Sequence, residues 1–334
     1  MISYLIKGPN KVENKIINIE GAKNACLPLL ASTILFDTPV TFKHVPFSQD
    51  VITMIKLLTA LGSKVKIYKE EKIIKVVNSK PHKLIVPYKL ISTMRGGCLA
   101  MGPLLGKYQK KKIKVAQGGG CSLGQRSTNW HLQGFKSLGA VSSLKKGYIN
   151  ISTKNGLIGG KYKFPKVTVT GTSNLIMASV LASKTSYFYN ISLEPEVIDL
   201  INFLKKSGAK IKFTGNRSIK IEGVKSLMGQ EHSVISDRIE AFSYLCIGAI
   251  TKGSITVKGI NPSFLKTELK ILKKIGYYIE AKKSSITLKS FKNLKSTNFK
   301  TGPFPSYVAT DCMPMLLAVL TQVPGVSRIE ENIF

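Results

Sequence analysis

Cys121 closes the run Gly118-Gly119-Gly120-Cys121, and Gln125-Arg126 follows shortly after it. Glycines let a backbone take positive φ and come close to a ligand. A free thiol titrates near about 8.5, and a neighbouring cation lowers that value toward the reactive thiolate. The pattern fits a flexible loop that holds a reactive thiol beside an anion-binding guanidinium. It equally fits a glycine-rich turn around a buried, inert cysteine.

Other residues invite similar chemistry. Lys23 follows a strand pattern and opens an apolar helix pattern. An ammonium there could hold a phosphate as a point charge; the plain alternative is a solvated lysine. Arg95 opens a second helix rich in small residues. Helix N-termini favour anions, and a guanidinium adds a two-pronged donor; the plain alternative is a surface salt bridge. Asp311 stands just before an apolar helix, where a carboxylate could serve as a base or simply cap the helix. His131 reads as a helix-start or packing residue.

These residues must be positioned by a repeat. Four segments share one pattern: an amphipathic helix, a glycine, a strand, a turn and a second strand. Their glycines are Gly62, Gly139, Gly208 and Gly276. Each glycine fits the position just past a helix, where positive φ is needed. Apolar residues recur at three and four in the helices, as at Val197, Leu200, Ile201 and Leu204, and alternate in the strands, as at Ile219 and Ile221. Between them lie segments of a second kind, a helix of small apolar residues followed by a strand. These cover residues 25–35 with 40–45, 94–105 with 112–116, 173–181 with 186–191, 238–250 with 254–260, and 312–320 with 325–329. Such helices should be buried on most sides. The alternation predicts an α/β protein of pseudo-symmetric domains built from βαβαββ-like units. The first kind of segment occurs four times and the second five times, so the pattern suggests a chain that stops inside a repeat.

The 334-residue chain is 43% hydrophobic and 20% charged, which suits a globular protein of two domains. Residues 1–10 lack the apolar core of a signal peptide, and the longest uncharged apolar stretch, residues 26–36, is too short to span a bilayer. The five cysteines are scattered and show no metal-ligand spacing, so a reduced, cytoplasmic protein without a metal is expected. The net charge is 50 − 18 = +32. The basic residues are spread along the whole chain, mostly as Lys, with no nucleic-acid-binding signature. Abundant Lys, Ile and Asn fit the coding bias of an A+T-rich genome. The positive potential would still help recruit anionic substrates.

Several spaced motifs then carry a resemblance. They are Gly21-Ala22-Lys23-Asn24-Ala25, Thr93-Met94-Arg95, Gly119-Gly120-Cys121 with Gly124-Gln125-Arg126, Lys166-Val167-Thr168-Val169, Glu194-Pro195-Glu196, Ser236-Asp237-Arg238-Ile239-Glu240 and Ala309-Thr310-Asp311. In that order they resemble the bacterial UDP-N-acetylglucosamine enolpyruvyl transferase family along the whole chain. Lys23-Asn24 and Cys121 favour it over the related shikimate enzyme. The resemblance implies a two-domain, inside-out α/β barrel of repeated βαβαββ units, with the last units missing. The first domain would run from 23 to 236. The second would take residues 1–22 plus 237–334 and be incomplete.

The implied activity is transfer of the enolpyruvyl group from phosphoenolpyruvate to the 3-hydroxyl of UDP-N-acetylglucosamine, the first committed step of peptidoglycan synthesis. By resemblance, Lys23 contacts phosphoenolpyruvate and Asn24 the aminosugar, while Lys23, Arg95 and Arg126 converge on phosphate. Cys121 donates a proton to the enolpyruvyl methylene carbon and can form a covalent adduct with phosphoenolpyruvate. Asp311 takes the proton of the sugar 3-hydroxyl. Ser127, Thr128, Asn129 and Trp130, together with Lys166, Val167, Thr168 and Val169, resemble segments that hold the nucleotide sugar. Asp237 and Ile333 are further implied contacts. The partners are those two small molecules, with no cofactor, membrane or nucleic acid expected.

Departures from the family pattern are Ser127 where Pro is usual, Asn129 where Asp is common, and Val308, an added residue that could misplace Asp311. The arginines the family carries beyond Glu331-Asn332-Ile333-Phe334 are absent, which predicts a poorly active chain. The alternatives are a noncatalytic remnant of that enzyme or a basic nucleic-acid-binding protein.

Overall fold

The computed structural model describes residues 10–79, 84–91, 94–116, 128–290 and 293–333, with residues 3, 5, 7 and 8; for Arg95 it describes the backbone alone. The chain divides into two units, one of Gly21–Ile235 and one of Met1–Glu20 with Ser236–Phe334. Each has its own hydrophobic core.

The larger unit repeats one plan three times. Helix α1 (Lys23–Ser32) leads to strand Val40–Lys43, helix α2 (Gln49–Ala60) and the hairpin Lys64–Tyr68 with Ile73–Val77. A single turn, α3 (Tyr88–Ile91), precedes the 3-10 segment Arg95–Ala100 and α4 (Met101–Lys107). Strand Ile113–Ala116, α5 (Asn129–Ser137) and the hairpin Ala140–Lys145 with Tyr148–Thr153 follow. The third copy is α6 (Val169–Ser179), strand Ser186–Tyr189, α7 (Pro195–Lys206) and the hairpin Lys210–Gly215 with Ser218–Glu222. In the smaller unit, α8 (Arg238–Ile250), Ser254–Lys258, α9 (Lys266–Ile275) and the hairpin Tyr278–Lys282 with Ser285–Lys289 repeat the plan; α10 (Met313–Leu320) follows.

The glycines after α2, α5, α7 and α9 all take positive φ, at 96°, 94°, 103° and 117°. Each thus ends its helix in a conformation that costs other residues energy. The strands alternate as expected: Ile219 and Ile221 point into the core while Ser218, Lys220 and Glu222 do not. In each four-stranded sheet the strand after the small-residue helix pairs antiparallel with the hairpin and parallel with a short edge strand. Those edge strands are Ile85–Val86, Lys161–Lys163, Glu231–Ser233 and Lys15–Asn18. Two to four residues are too few to show alternation, so only Lys15–Asn18, in the strand pattern that precedes Lys23, had been anticipated. No sheet closes on itself among the described residues, and the architecture is open mixed α/β.

The small-residue helices lie inside the larger unit. Every residue of α1 from Ala25 to Ser32 and of α6 from Gly171 to Ser179 is buried. Gly102 lets α4 reach α6: a Cβ there would sit 2.2 Å from the Asn174 carbonyl oxygen. The predicted helix over 94–105 is in fact a 3-10 segment followed by an α-helix. The last strand is Ile329–Glu330 rather than 325–329.

Candidate active site

Lys23 is the first residue of α1 and Asn24 the second. No acidic residue stands in the first turn of α1, α5 or α6. The positive ends of these three helices are therefore uncompensated locally, a setting that favours an anion. By contrast α2 and α7 carry Asp50 and Glu196 in their first turns. The half-exposed Lys23 Nζ lies 3.0 Å from Asp50 Oδ2, so Asp50, absent from the sequence reading, orients the ammonium. An acid at a helix start was the available signal.

Arg95 opens the 3-10 segment that packs on α1; its side chain lies outside the described residues. So do Cys121, Arg126 and Ser127. Thr128 is the N-cap residue of α5, and Asn129 and Trp130 begin that helix. Thr168 caps α6, its Oγ1 accepting from Gly171 N at 3.3 Å. Lys166 and Val169 beside it are exposed. Val167, like Thr168, is half-buried.

A buried polar cluster ties these starts together. Asn174 Nδ2 donates to the Cys98 carbonyl oxygen at 3.0 Å, and its Oδ1 accepts from Gly102 N at 2.7 Å. The same amide nitrogen lies 3.0 Å from His131 Nδ1, while His131 Nε2 lies 3.4 Å from Thr170 Oγ1. With Asn174 as donor, Nδ1 accepts and Nε2–H faces the threonine. Burial holds His131 neutral, with its pKa down at about 4. His131 is thus a structural link between the segments that carry Arg95, Trp130 and Lys166, in keeping with its reading as a packing residue.

The smaller unit carries the two acids singled out in the sequence, Asp237 and Asp311. Asp237 caps α8, its Oδ1 accepting from Ile239 N at 2.8 Å and Glu240 N at 3.1 Å. Asp311 is exposed in the 3-10 turn Thr310–Cys312. The cap positions there are Ala309 and Cys312, so Asp311 is not the helix cap. Val308, read from the sequence as an added residue, is buried and forms a parallel bridge with Thr301. Ile333 is half-buried, and its N–H donates to Glu331 Oε1 at 2.7 Å.

Burial pushes the thiols of Cys26, Cys246 and Cys312 far above their ordinary range. None of the three is an acid or nucleophile at neutral pH. Among the described residues no group of three or more His, Cys, Asp or Glu could hold a metal, and no helix is long and apolar enough to cross a membrane.

The fold, repeated open sheets over buried small-residue helices, is shared with solved enolpyruvyl transferases. The crystal structure of the enolpyruvyl transferase NikO from Streptomyces tendae matches with a TM-score of 0.84 at 16% identity, covering 96% of this chain and 75% of that chain. EPSP synthase from Acinetobacter baumannii matches with a TM-score of 0.72 at 18% identity, over 96% of this chain and 74% of that one.

The sequence narrows the class. Residues 6–334 match the family model described as EPSP synthase (3-phosphoshikimate 1-carboxyvinyltransferase). The UDP-N-acetylglucosamine 1-carboxyvinyltransferase of Pelagibacter ubique is 42% identical over 95% of this chain and 75% of its own length. That of Endomicrobium trichonymphae is 41% identical over 100% of this chain and 78% of its own length. The chain belongs to the enolpyruvyl transferase family, in its UDP-N-acetylglucosamine 1-carboxyvinyltransferase branch.

Proposed function

We infer that this chain transfers the enolpyruvyl group of phosphoenolpyruvate to the 3-hydroxyl of UDP-N-acetylglucosamine, the first committed step of peptidoglycan synthesis. The observation that carries this is the identity of about two residues in five, along essentially the whole chain, to transferases of that name. The fold likeness at 16–18% identity supports the architecture alone. Both substrates are small anionic molecules, in keeping with the excess of lysine and with a cytoplasmic setting.

The roles assigned to residues are ours. Lys23, Arg95 and Arg126 hold the phosphate, with Asn24 on the aminosugar. The segments 127–130 and 166–169, with Asp237 and Ile333, contact the nucleotide sugar. Cys121 protonates the methylene carbon of phosphoenolpyruvate, which leaves the phosphate-bearing carbon electrophilic. The sugar oxygen bonds to that carbon as Asp311 takes the hydroxyl proton. A methyl proton then returns to the Cys121 thiolate as the carbon–oxygen bond to phosphate breaks. The double bond is restored, and the Asp311 proton departs with the phosphate. The first domain is taken as residues 23–236 and the second as 1–22 with 237–334, near the bounds of the two compact units.

Release of inorganic phosphate tests this. It should require both phosphoenolpyruvate and UDP-N-acetylglucosamine, and 3-phosphoshikimate should not replace the sugar. Release with 3-phosphoshikimate alone as acceptor overturns the reading. Lys23→Ala should weaken use of phosphoenolpyruvate by about ten-fold or more, the worth of one charge-assisted contact; unchanged kinetics removes Lys23 from the site.

A further inference from the structure

Glu268 lies on the apolar stripe of α9, between Leu265, Leu269 and Leu272, and is only 1% exposed. A carboxylate in such a place is costly unless it is hydrogen-bonded. Its Oε1 accepts the Ala309 N–H at 2.9 Å. Ala309 is the extended residue, φ −63° and ψ 135°, from which the 3-10 turn carrying Asp311 departs. The next residue back on α9 holds the same segment: Thr267 Oγ1 donates to the Pro305 carbonyl oxygen at 2.6 Å. The Arg238 guanidinium lies over the Phe304 ring at 5.6 Å. The charge of Glu268 also reaches Cys312, on the far side of Asp311, and helps raise its thiol after burial itself.

We propose that Glu268 is a positioning residue that fixes the turn bearing Asp311, through its carboxylate on the Ala309 N–H. This rests on the reading of Asp311 as the base. A bridge from Val308 to Thr301 pins the residue just before Ala309, with Val308 N donating to Lys300 O at 3.2 Å and Gly302 N to Val308 O at 3.1 Å. Glu268 then resets the direction of the chain one residue later. A charge-assisted bond in a dry site is short and directional, which a base within reach of a single hydroxyl proton requires.

The test uses the full chain with Glu268→Ala, Glu268→Asp, Glu268→Gln and Asp311→Asn. Displacing a reacting group by about 1 Å costs on the order of 100-fold in rate. Glu268→Ala should therefore lower kcat by about that factor while both KM values stay within about three-fold. Glu268→Gln keeps an acceptor and should restore kcat to within about three-fold. Glu268→Asp keeps the charge but shortens the reach, and should lose about ten-fold in kcat. Amide exchange at Ala309 should quicken in the Ala variant. If Glu268→Ala fails to fold, the Asp variant decides.

Wild-type kcat in the Asp variant, equal losses in the Gln and Ala variants, or unchanged Ala309 exchange each overturns the proposal. An active Asp311→Asn enzyme defeats the base reading instead. An inactive Asp311→Asn enzyme beside Glu268 variants with wild-type kcat defeats Glu268 alone. Should the wild-type chain turn nothing over, Ala309 exchange still decides whether Glu268 holds the turn.

Discussion

Helices α6 and α10 are built from the same kinds of residue, yet one is sealed and the other is not. In α6 the nine residues from Gly171 to Ser179 are all buried. In α10 only Leu316 and Val319 are, and Leu317 is 40% exposed. The sequence Met313-Pro314-Met315-Leu316-Leu317-Ala318-Val319-Leu320 is the more apolar of the two. Around α6 the larger unit provides α4, α5 and α7 as neighbours. Around α10 the smaller unit provides mainly α8. A run of small apolar residues therefore states a need for cover, and the neighbours decide how far it is met. Apolar area left in water gives up about 25 cal/mol per Å², so the larger unit should be the more stable.

Leucine truncations give the strongest test of that contrast. Leu30 in α1 is fully buried, so Leu30→Ala should cost about 2–5 kcal/mol through lost contacts and the cavity left behind. Leu317→Ala in α10 should cost about 0.5 kcal/mol or less. Trp130, the one tryptophan, belongs to the larger unit and reports its unfolding in denaturant. Hydrogen exchange of peptides from 236–334 reports the smaller unit. Equal costs at the two leucines would erase the contrast.

Acid should divide the units next. His131 has an ordinary value near 6.5 unfolded and about 4 folded, because burial disfavours its charged form. The unfolded chain therefore binds the proton first. Stability from the neutral ring is complete above about pH 6.5 and is lost as pH falls toward about 4. The loss approaches about 3 kcal/mol at 1.36 kcal/mol per unit. All four histidines fall within the span of the larger unit. Trp130 fluorescence should show the loss between those pH values, and His131→Asn should flatten the slope. A slope unchanged in that variant would assign the acid sensitivity to other groups.

The repeat was legible because each of its parts rests on local chemistry. A glycine past an amphipathic helix and alternation in a hairpin need no distant partner to be recognised. What escaped depends on contacts far apart in sequence. The edge strands are defined only by the strand they join, as Glu231–Ser233 is by Val40–Lys43. Asp50 gains meaning only beside Lys23, and Glu268 only beside Ala309, 41 residues on. Glu268 did leave one trace, a charge on an otherwise apolar stripe. The bridge of Val308 to Thr301 is likewise invisible in the sequence, where Val308 reads only as a residue that could shift Asp311.

The smallest expected effect concerns what the two units share. Gly208 follows α7 with φ 103°, and a Cβ there would meet nothing within 4 Å. Gly276 follows α9 with φ 117°, and a Cβ would meet the Asn293 carbonyl oxygen at 3.3 Å. In Gly208→Ala only the left-handed backbone is penalised, at about 1–2 kcal/mol. Gly276→Ala carries the same penalty and a slight crowding besides, so it should cost at least as much. The comparison of α6 with α10 says that cover differs between the units; these glycines say that the local rule does not. Hydrogen exchange in each unit reads both costs on one scale. A Gly276→Ala cost well below that of Gly208→Ala would mean that the end of α9 relaxes out of the left-handed conformation. The smaller unit would then be looser in its backbone as well as in the cover of its helices.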